Sequence, residues 1–227
     1  MLGTGDPCKD GRMSDLGHAI WLLHGARERY SALRINVDVA VVVDHLDDMD
    51  ARGSHGVRRS AVTMWIDPPW RWRLHWQGWE PAFQAGRDGW LAWTTERNGG
   101  YHVGIGGHIN VESPISDLQP LEELWDPALL ISELWLEPVD ERTEVAGRVG
   151  RIVTGIPRPT PRPDGREFLL LDWPRGERYE LVVDEELGIV LRIRTFRRER
   201  EIVREEVTGV EVDRPIEVGV FRGDVEP

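Results

Sequence analysis

Between Leu33 and Val39 apolar and polar side chains change places at every step, as Leu33-Arg34-Ile35-Asn36-Val37-Asp38-Val39, and the segment then runs into Val41-Val42-Val43. A period of two sends successive side chains to opposite faces of an extended chain, so this stretch cannot be helical and must be a long strand. Leu33, Ile35, Val37, Val39, Val41 and Val43 make its buried face. A strand with one wet and one dry face belongs to an antiparallel sheet.

The same signal returns along the chain. Val57 to Asp67 reads as the return strand of a hairpin across the acidic stretch from Asp44 to Gly56, and Pro68-Pro69 stops it. Trp70-Arg71-Trp72-Arg73-Leu74-His75-Trp76 alternates most strongly of all, with Trp70, Trp72, Leu74 and Trp76 on one face and Arg71, Arg73 and His75 on the other. Asp88-Gly89 opens a further aromatic strand through Trp90 and Trp93, and a short strand lies between the glycine-rich turns near residues 98 and 106. Further strands are read at 145–156, 167–173, 179–184, 188–196, 201–212 and, last, 216–221. Ser14 and Asp15 mark a helix start. Leu16, Ile20, Leu23 and Tyr30, with Ala19 and Ala26, give an apolar stripe over roughly 15–31. Residues 118–134 read as two short helices broken at Pro127. The sum is a mostly β (α+β) protein: a curled antiparallel sheet or unclosed barrel of ten or eleven strands, with an N-terminal helix and mid-chain helices covering its concave face. One domain is expected over 14–221, between a disordered tail at 1–13 and a C-terminal tail at 222–227. Pro157 to Pro163 reads as an ordered crossing loop within that domain.

Composition excludes several function classes. A chain of 227 residues is long enough to bury a core without covalent staples, and its single cysteine, Cys8, rules out an internal disulfide. A formal net charge of -12 opposes binding to phosphate backbones and to anionic headgroups, so no nucleic-acid partner is expected. No run approaches the about 20 apolar residues that a membrane span needs, so the chain does not read as an integral membrane protein. Met1 to Lys9 lacks the basic and apolar regions of a secretory signal and Cys8 lacks a lipidation context, which places the expected location in the cytoplasm.

No catalytic centre emerges. Asp44, Asp47, Asp48 and Asp50 do not match a calcium loop, and the seven histidines are dispersed without a cysteine or carboxylate set to complete a zinc site. Gly104-Ile105-Gly106-Gly107 lacks the Lys-Ser/Thr of a phosphate loop, and Ser113 and Ser116 lack a nucleophile-elbow pattern. Glu122, Glu123 and Glu133 read as solvated helix-surface groups. No cofactor is called for. The feature that stands out is eleven tryptophans, seven of them between Trp65 and Trp93. A concave apolar surface built from Val37, Val39, Val41, Met64, Trp70, Trp72, Leu74, Trp76, Trp90 and Trp93 would receive a flat or chain-like apolar molecule. Ordinary core packing accounts for the same residues equally directly.

Taken in order, the leading helix, the long first strand, Pro68-Pro69-Trp70-Arg71-Trp72-Arg73, Asp88-Gly89-Trp90-Leu91-Ala92-Trp93, the mid-chain helices, Gly147 to Gly155, and Tyr179 to Asp184 with Glu186 to Arg192 resemble the LolA/LolB-like lipoprotein-carrier group. That group includes the N-terminal domain of RseB/MucB regulators and proteins of the LppX type. The resemblance covers roughly 15–221. It implies an unclosed antiparallel barrel with helices over its mouth, an apolar cavity for acyl chains and no catalytic residues. Its members are exported or lipidated, whereas this chain shows neither signal. Two functions follow from it: a carrier of a lipid or other apolar small molecule, or a regulatory module that grips a protein partner through the same sheet surface.

Overall fold

The computed structural model describes residues 15–42, 56–68, 71–78, 83–88, 91–95, 101–105, 119–125, 127–158 and 176–222. Among these residues eleven strands form one antiparallel sheet in the order β6-β5-β4-β3-β2-β1-β11-β10-β9-β8-β7. They are β1 (Leu33–Val42), β2 (Val57–Asp67), β3 (Arg71–Gln77), β4 (Phe83–Asp88), β5 (Leu91–Thr95), β6 (Tyr101–Ile105), β7 (Leu134–Val145), β8 (Arg148–Pro157), β9 (Arg178–Asp184), β10 (Val190–Arg197) and β11 (Arg200–Val212). Two meanders, β1 to β6 and β7 to β11, meet where β1 pairs with β11, and among the described residues β6 and β7 are the edges. Register shifts at Asn36/Val37 and Thr195/Phe196 add local bend and twist, which helps the sheet to curl.

The alternation read in β1 sets the burial. Leu33, Ile35, Val37, Val39 and Val41 are all buried and join one core cluster with residues of β2, β3 and β8 to β11 and of the helices. Three helices add to that inner face: α1 (Asp15–His24), α2 (Gln119–Trp125) and α3 (Ala128–Glu133). Their principal packing partners in the sheet are β7, β9 and β10.

α1 is shorter than its pattern suggests and is rotated. It ends before Gly25, a 3-10 turn follows at Ala26–Glu28, and Ala19, Leu22, Leu23 and Ala26 are the buried stripe, while Leu16 and Ile20 face outward. Small residues in that stripe let the helix lie close to the sheet. Both ends are tied down. Asp15 pairs with Arg151 at 2.8 Å, and Arg29 donates to the carbonyls of Leu22 (2.6 Å) and Trp21 (3.0 Å), satisfying the helix C-terminus. Tyr30 then donates to the Trp125 carbonyl at 3.0 Å, linking this segment to α2.

Three further expectations change. The strand expected at 216–221 is instead irregular chain leading into a short helix, α4 (Gly219–Arg222), because Pro215 lacks an N–H and β1 to β3 already have partners on both sides. β7 occupies residues that the sequence pattern assigns partly to a helix and partly to no element. β4 has no counterpart among the expected strands. The expected strand at 167–173, the acidic loop around Asp44 to Asp50 and most of the proline-rich crossing fall outside the described residues.

Candidate functional site

Cross-strand register turns the inner face of β11, β1, β2 and β3 into a ladder of apolar rungs. One rung reads Val212, Leu33, Ile66, Trp72; the next Val210, Ile35, Met64, Leu74; the third Val207, Val37, Val62, Trp76. Val37, Val39, Val41, Met64, Leu74 and Trp76, all expected on an apolar surface, therefore lie on one face, and all are buried. Trp72 is partly buried against the same core. Trp70 and Trp90 lie outside the described residues. Trp93 belongs to β5, where only the backbone is described.

The pleat divides the tryptophan cluster. Trp65 points to the outer face, where Arg34 and Arg73 lie 5.6 and 5.7 Å from its ring. That outer face is only partly solvated. The α4 segment crosses it: Arg73 donates to the Val220 carbonyl at 3.0 Å and Arg71 lies over the Phe221 ring, which is fully buried. Arg71 also pairs with Asp67 at 2.6 Å. Burial, and then the nearby Arg73 charge, hold His75 below its ordinary value. A hollow of about 450 Å³ beside these residues is lined by Asp38, Arg59, Gln77, Arg204 and Glu206 among others, with charges of both signs.

The fourth rung breaks the apolar pattern. Glu205 of β11 pairs in register with Val39 of β1, and Val39 pairs with Ser60 of β2. Glu205 is 5% exposed and Ser60 7% exposed. Neither Glu205 Oε2 nor Ser60 Oγ has a hydrogen-bond partner among the described residues. Adjacent strands lie about 4.8 Å apart, so the two residues stand about 10 Å apart across Val39. On its other side Glu205 faces the buried Ile193 of β10. Burial alone pushes its carboxyl up to about 8. An uncharged carboxyl can both donate and accept a hydrogen bond. Neither residue belongs to the apolar surface read from the sequence, although each interrupts an alternating run, Val203-x-Glu205-x-Val207 and Ser60-x-Val62-x-Met64, at an inward position.

The mid-chain acids differ from expectation. Glu123 and Glu133 are buried rather than solvated, because α2 and α3 are short and packed against each other, against α1 and against the sheet. Only the backbone of Glu122 is described. Among the described residues no three His, Cys, Asp or Glu side chains converge to hold a metal ion. No helix among them is long and apolar enough to cross a membrane.

No protein-family model and no curated protein matches the sequence. Solved structures do match. MucB superposes with a TM-score of 0.56 at 19% identity, over 93% of this chain and 64% of that chain. The complex of Pseudomonas aeruginosa MucA/MucB gives 0.52 at 18% identity, over 91% and 61%. An uncharacterized conserved protein from Thermus thermophilus gives 0.53 at 7% identity, over 89% and 91%. The chain thus spans less than two thirds of the MucB length. At these identities the likeness is one of fold. It agrees with the unclosed antiparallel sheet that the LolA/LolB-like resemblance implied.

Proposed function

We propose that this protein is a non-catalytic binding protein whose inner sheet face takes up an apolar, chain-like molecule. The observation that carries the reading is the uneven furnishing of that face. The helices pack chiefly over β7, β9 and β10, while β11, β1, β2 and β3 present a continuous apolar ladder over the three rungs from Leu33 to Val37. Its lane from Leu33 to Val39 is roughly 20 Å long at the rise of an extended strand. Apolar walls with few polar groups are what a hydrophobic ligand requires. Because the ladder is buried, the ligand enters by opening the face rather than by settling into a standing groove.

Native mass spectrometry of the full chain, before and after adding decanol, decanoate or a short-chain phospholipid, tests this. A stoichiometric adduct that organic solvent releases supports it, and a clean apo mass throughout overturns it.

A second reading, a protein-partner module, has its own observation. Trp135 and Ile156 face each other across β7 and β8 at the sheet edge, 60% and 58% exposed. Exposed apolar groups on an edge hairpin suit docking. MucB, whose fold is similar, has been solved in complex with MucA(peri). A clean apo mass, together with loss of partner retention on Trp135→Glu, would favour this reading.

A further inference from the structure

We propose that the inner face selects a ligand with an uncharged, hydrogen-bonding head, such as a hydroxyl or amide on an apolar chain, and that Glu205 and Ser60 hold that head. The proposal rests on the reading that an apolar chain occupies this face, and it names the chemistry of the other end.

The geometry supplies the argument. Both side chains are more than nine-tenths buried, both carry an oxygen without a partner, and both point inward on one rung with only Val39 between them. A polar group that is buried and unsatisfied is destabilising, and native interiors rarely keep one without a reason. Two on the same rung, at the end of an apolar lane, form a pair of anchors about 10 Å apart. A head that bridges them would satisfy both, and its chain would run along Val37, Ile35 and Leu33.

Charge selects the head. The groups facing Glu205 from its neighbours are Ile193 on β10 and Val39 on β1, with Val203 and Val207 next along its own strand. Beyond Ile193 lies Leu181 of β9, and Tyr179 stands one rung away with its hydroxyl accepting the Gly176 N–H. Of the helices, α2 packs on β10 and carries the buried Glu123, and α3 carries the buried Glu133. Glu206 and Arg192 pair with each other at 3.6 Å on the opposite face. No Arg or Lys side chain lies in register with the carboxyl; the nearest inward cation on β2 is Arg58, exposed and one rung beyond Ser60. An anionic head would find no cation beside Glu205, and a cationic head would force Glu205 to ionise among apolar side chains. A neutral head matches a carboxyl that keeps its proton.

The test uses the full chain and tryptophan fluorescence, since Trp72 and Trp76 lie on the ladder. Decanol, decanamide, decane, decylammonium and decanoate are titrated at about pH 6 and about pH 9.5, either side of the Glu205 transition. Decanol and decanamide should bind about tenfold more tightly than decane at the lower pH, as expected for one to two new buried hydrogen bonds. Both should bind more weakly at the higher pH, where the closed face has to bury an ionised Glu205. Glu205→Gln, which is neutral and still donates and accepts, should keep the preference and lose the pH dependence. Glu205→Leu should bind decane and decanol alike. If decylammonium binds best and strengthens as pH rises, or decanoate binds best, or decane equals decanol in the parent, the head assignment is overturned while the apolar-chain reading stands. If no decyl compound binds, the apolar-chain reading itself fails.

Discussion

The guanidinium of Arg148 grips the buried carboxylate of Asp184 on the adjacent strand, and that same carboxylate closes the turn from β9 into β10. Arg148 donates through Nε to Oδ2 and through Nη2 to Oδ1, while Asp184 Oδ1 also accepts the N–H groups of Glu186 at 2.9 Å and Leu187 at 2.6 Å. Asp184→Ala leaves two turn amides without an acceptor and a part-buried arginine with only the exposed Glu186 carboxylate, 2.9 Å away. The expected loss is roughly 3 kcal/mol in urea unfolding. Asp184→Asn keeps a carbonyl for the amides and should lose less. A loss below about 0.5 kcal/mol for the alanine variant would show that the turn holds without this carboxylate.

Gly188 couples that turn to α1. Its φ of +73° lies in the left-handed region, and a Cβ placed there would sit 2.0 Å from the Leu22 carbonyl oxygen. Gly147 has a similar φ of +75° but open space around it. Comparing the two alanine variants separates backbone strain from collision. Gly147→Ala should cost about 1 kcal/mol, and Gly188→Ala clearly more, with a shift in Trp21 fluorescence as α1 moves off the sheet. Equal losses at the two sites would mean that α1 yields without cost.

These contacts mark the boundary of what the sequence discloses. The β1 alternation is legible because one face is dry and the other wet, and the hairpin with β2 and the long β10–β11 pair follow the same rule. β7 is hidden because it is an edge strand: Pro138, Glu137, Asp140, Glu141 and Glu144 obscure the period of two, and edges tolerate both proline and charge. The helix stripe is misread because Leu16 and Ile20 compete on paper with Ala19 and Leu22, and only docking against the sheet decides between them. The apolar members of the candidate face are legible strand by strand. Glu205 and Ser60 are not, since their meaning depends on register between β11, β1 and β2, which no local pattern contains.

Burial also reorders the tryptophans as probes. Trp76 is packed into the inner face, so Trp76→Ala should cost roughly 3–5 kcal/mol and would report on folding before it reported on binding. Trp135→Ala, on the exposed side of the edge hairpin, should change stability by less than about 0.5 kcal/mol. Trp72, only partly buried, is the more useful binding probe. Thermal and urea unfolding of the three variants checks the order, and a neutral Trp76→Ala would mean that the inner face is loosely filled.

Glu205 makes the stability of the whole protein depend on pH with a defined sign. Its carboxyl titrates near 8 in the folded chain against an ordinary value of 4.5, because burial penalises the charged form. Below about 4.5 it is protonated whether the chain is folded or not, and it imposes no ionisation penalty. Between about 4.5 and 8 the unfolded chain releases the proton while the folded chain keeps it, so stability falls steadily as pH rises through this window. Above about 8 both forms are ionised and this contribution levels off. At roughly 1.4 kcal/mol per pH unit the full effect is of the order of a few kcal/mol. Glu205→Gln removes it. The variant should therefore match its parent near the acid end of the window and exceed it by a few kcal/mol at the alkaline end, in urea unfolding followed across the pH series. Subtracting parent from variant cancels the titration of every other group. A difference that stays flat across the window would mean that the folded protein gives this carboxylate water or a partner, and the fourth rung would then lose its claim to be a vacant polar anchor.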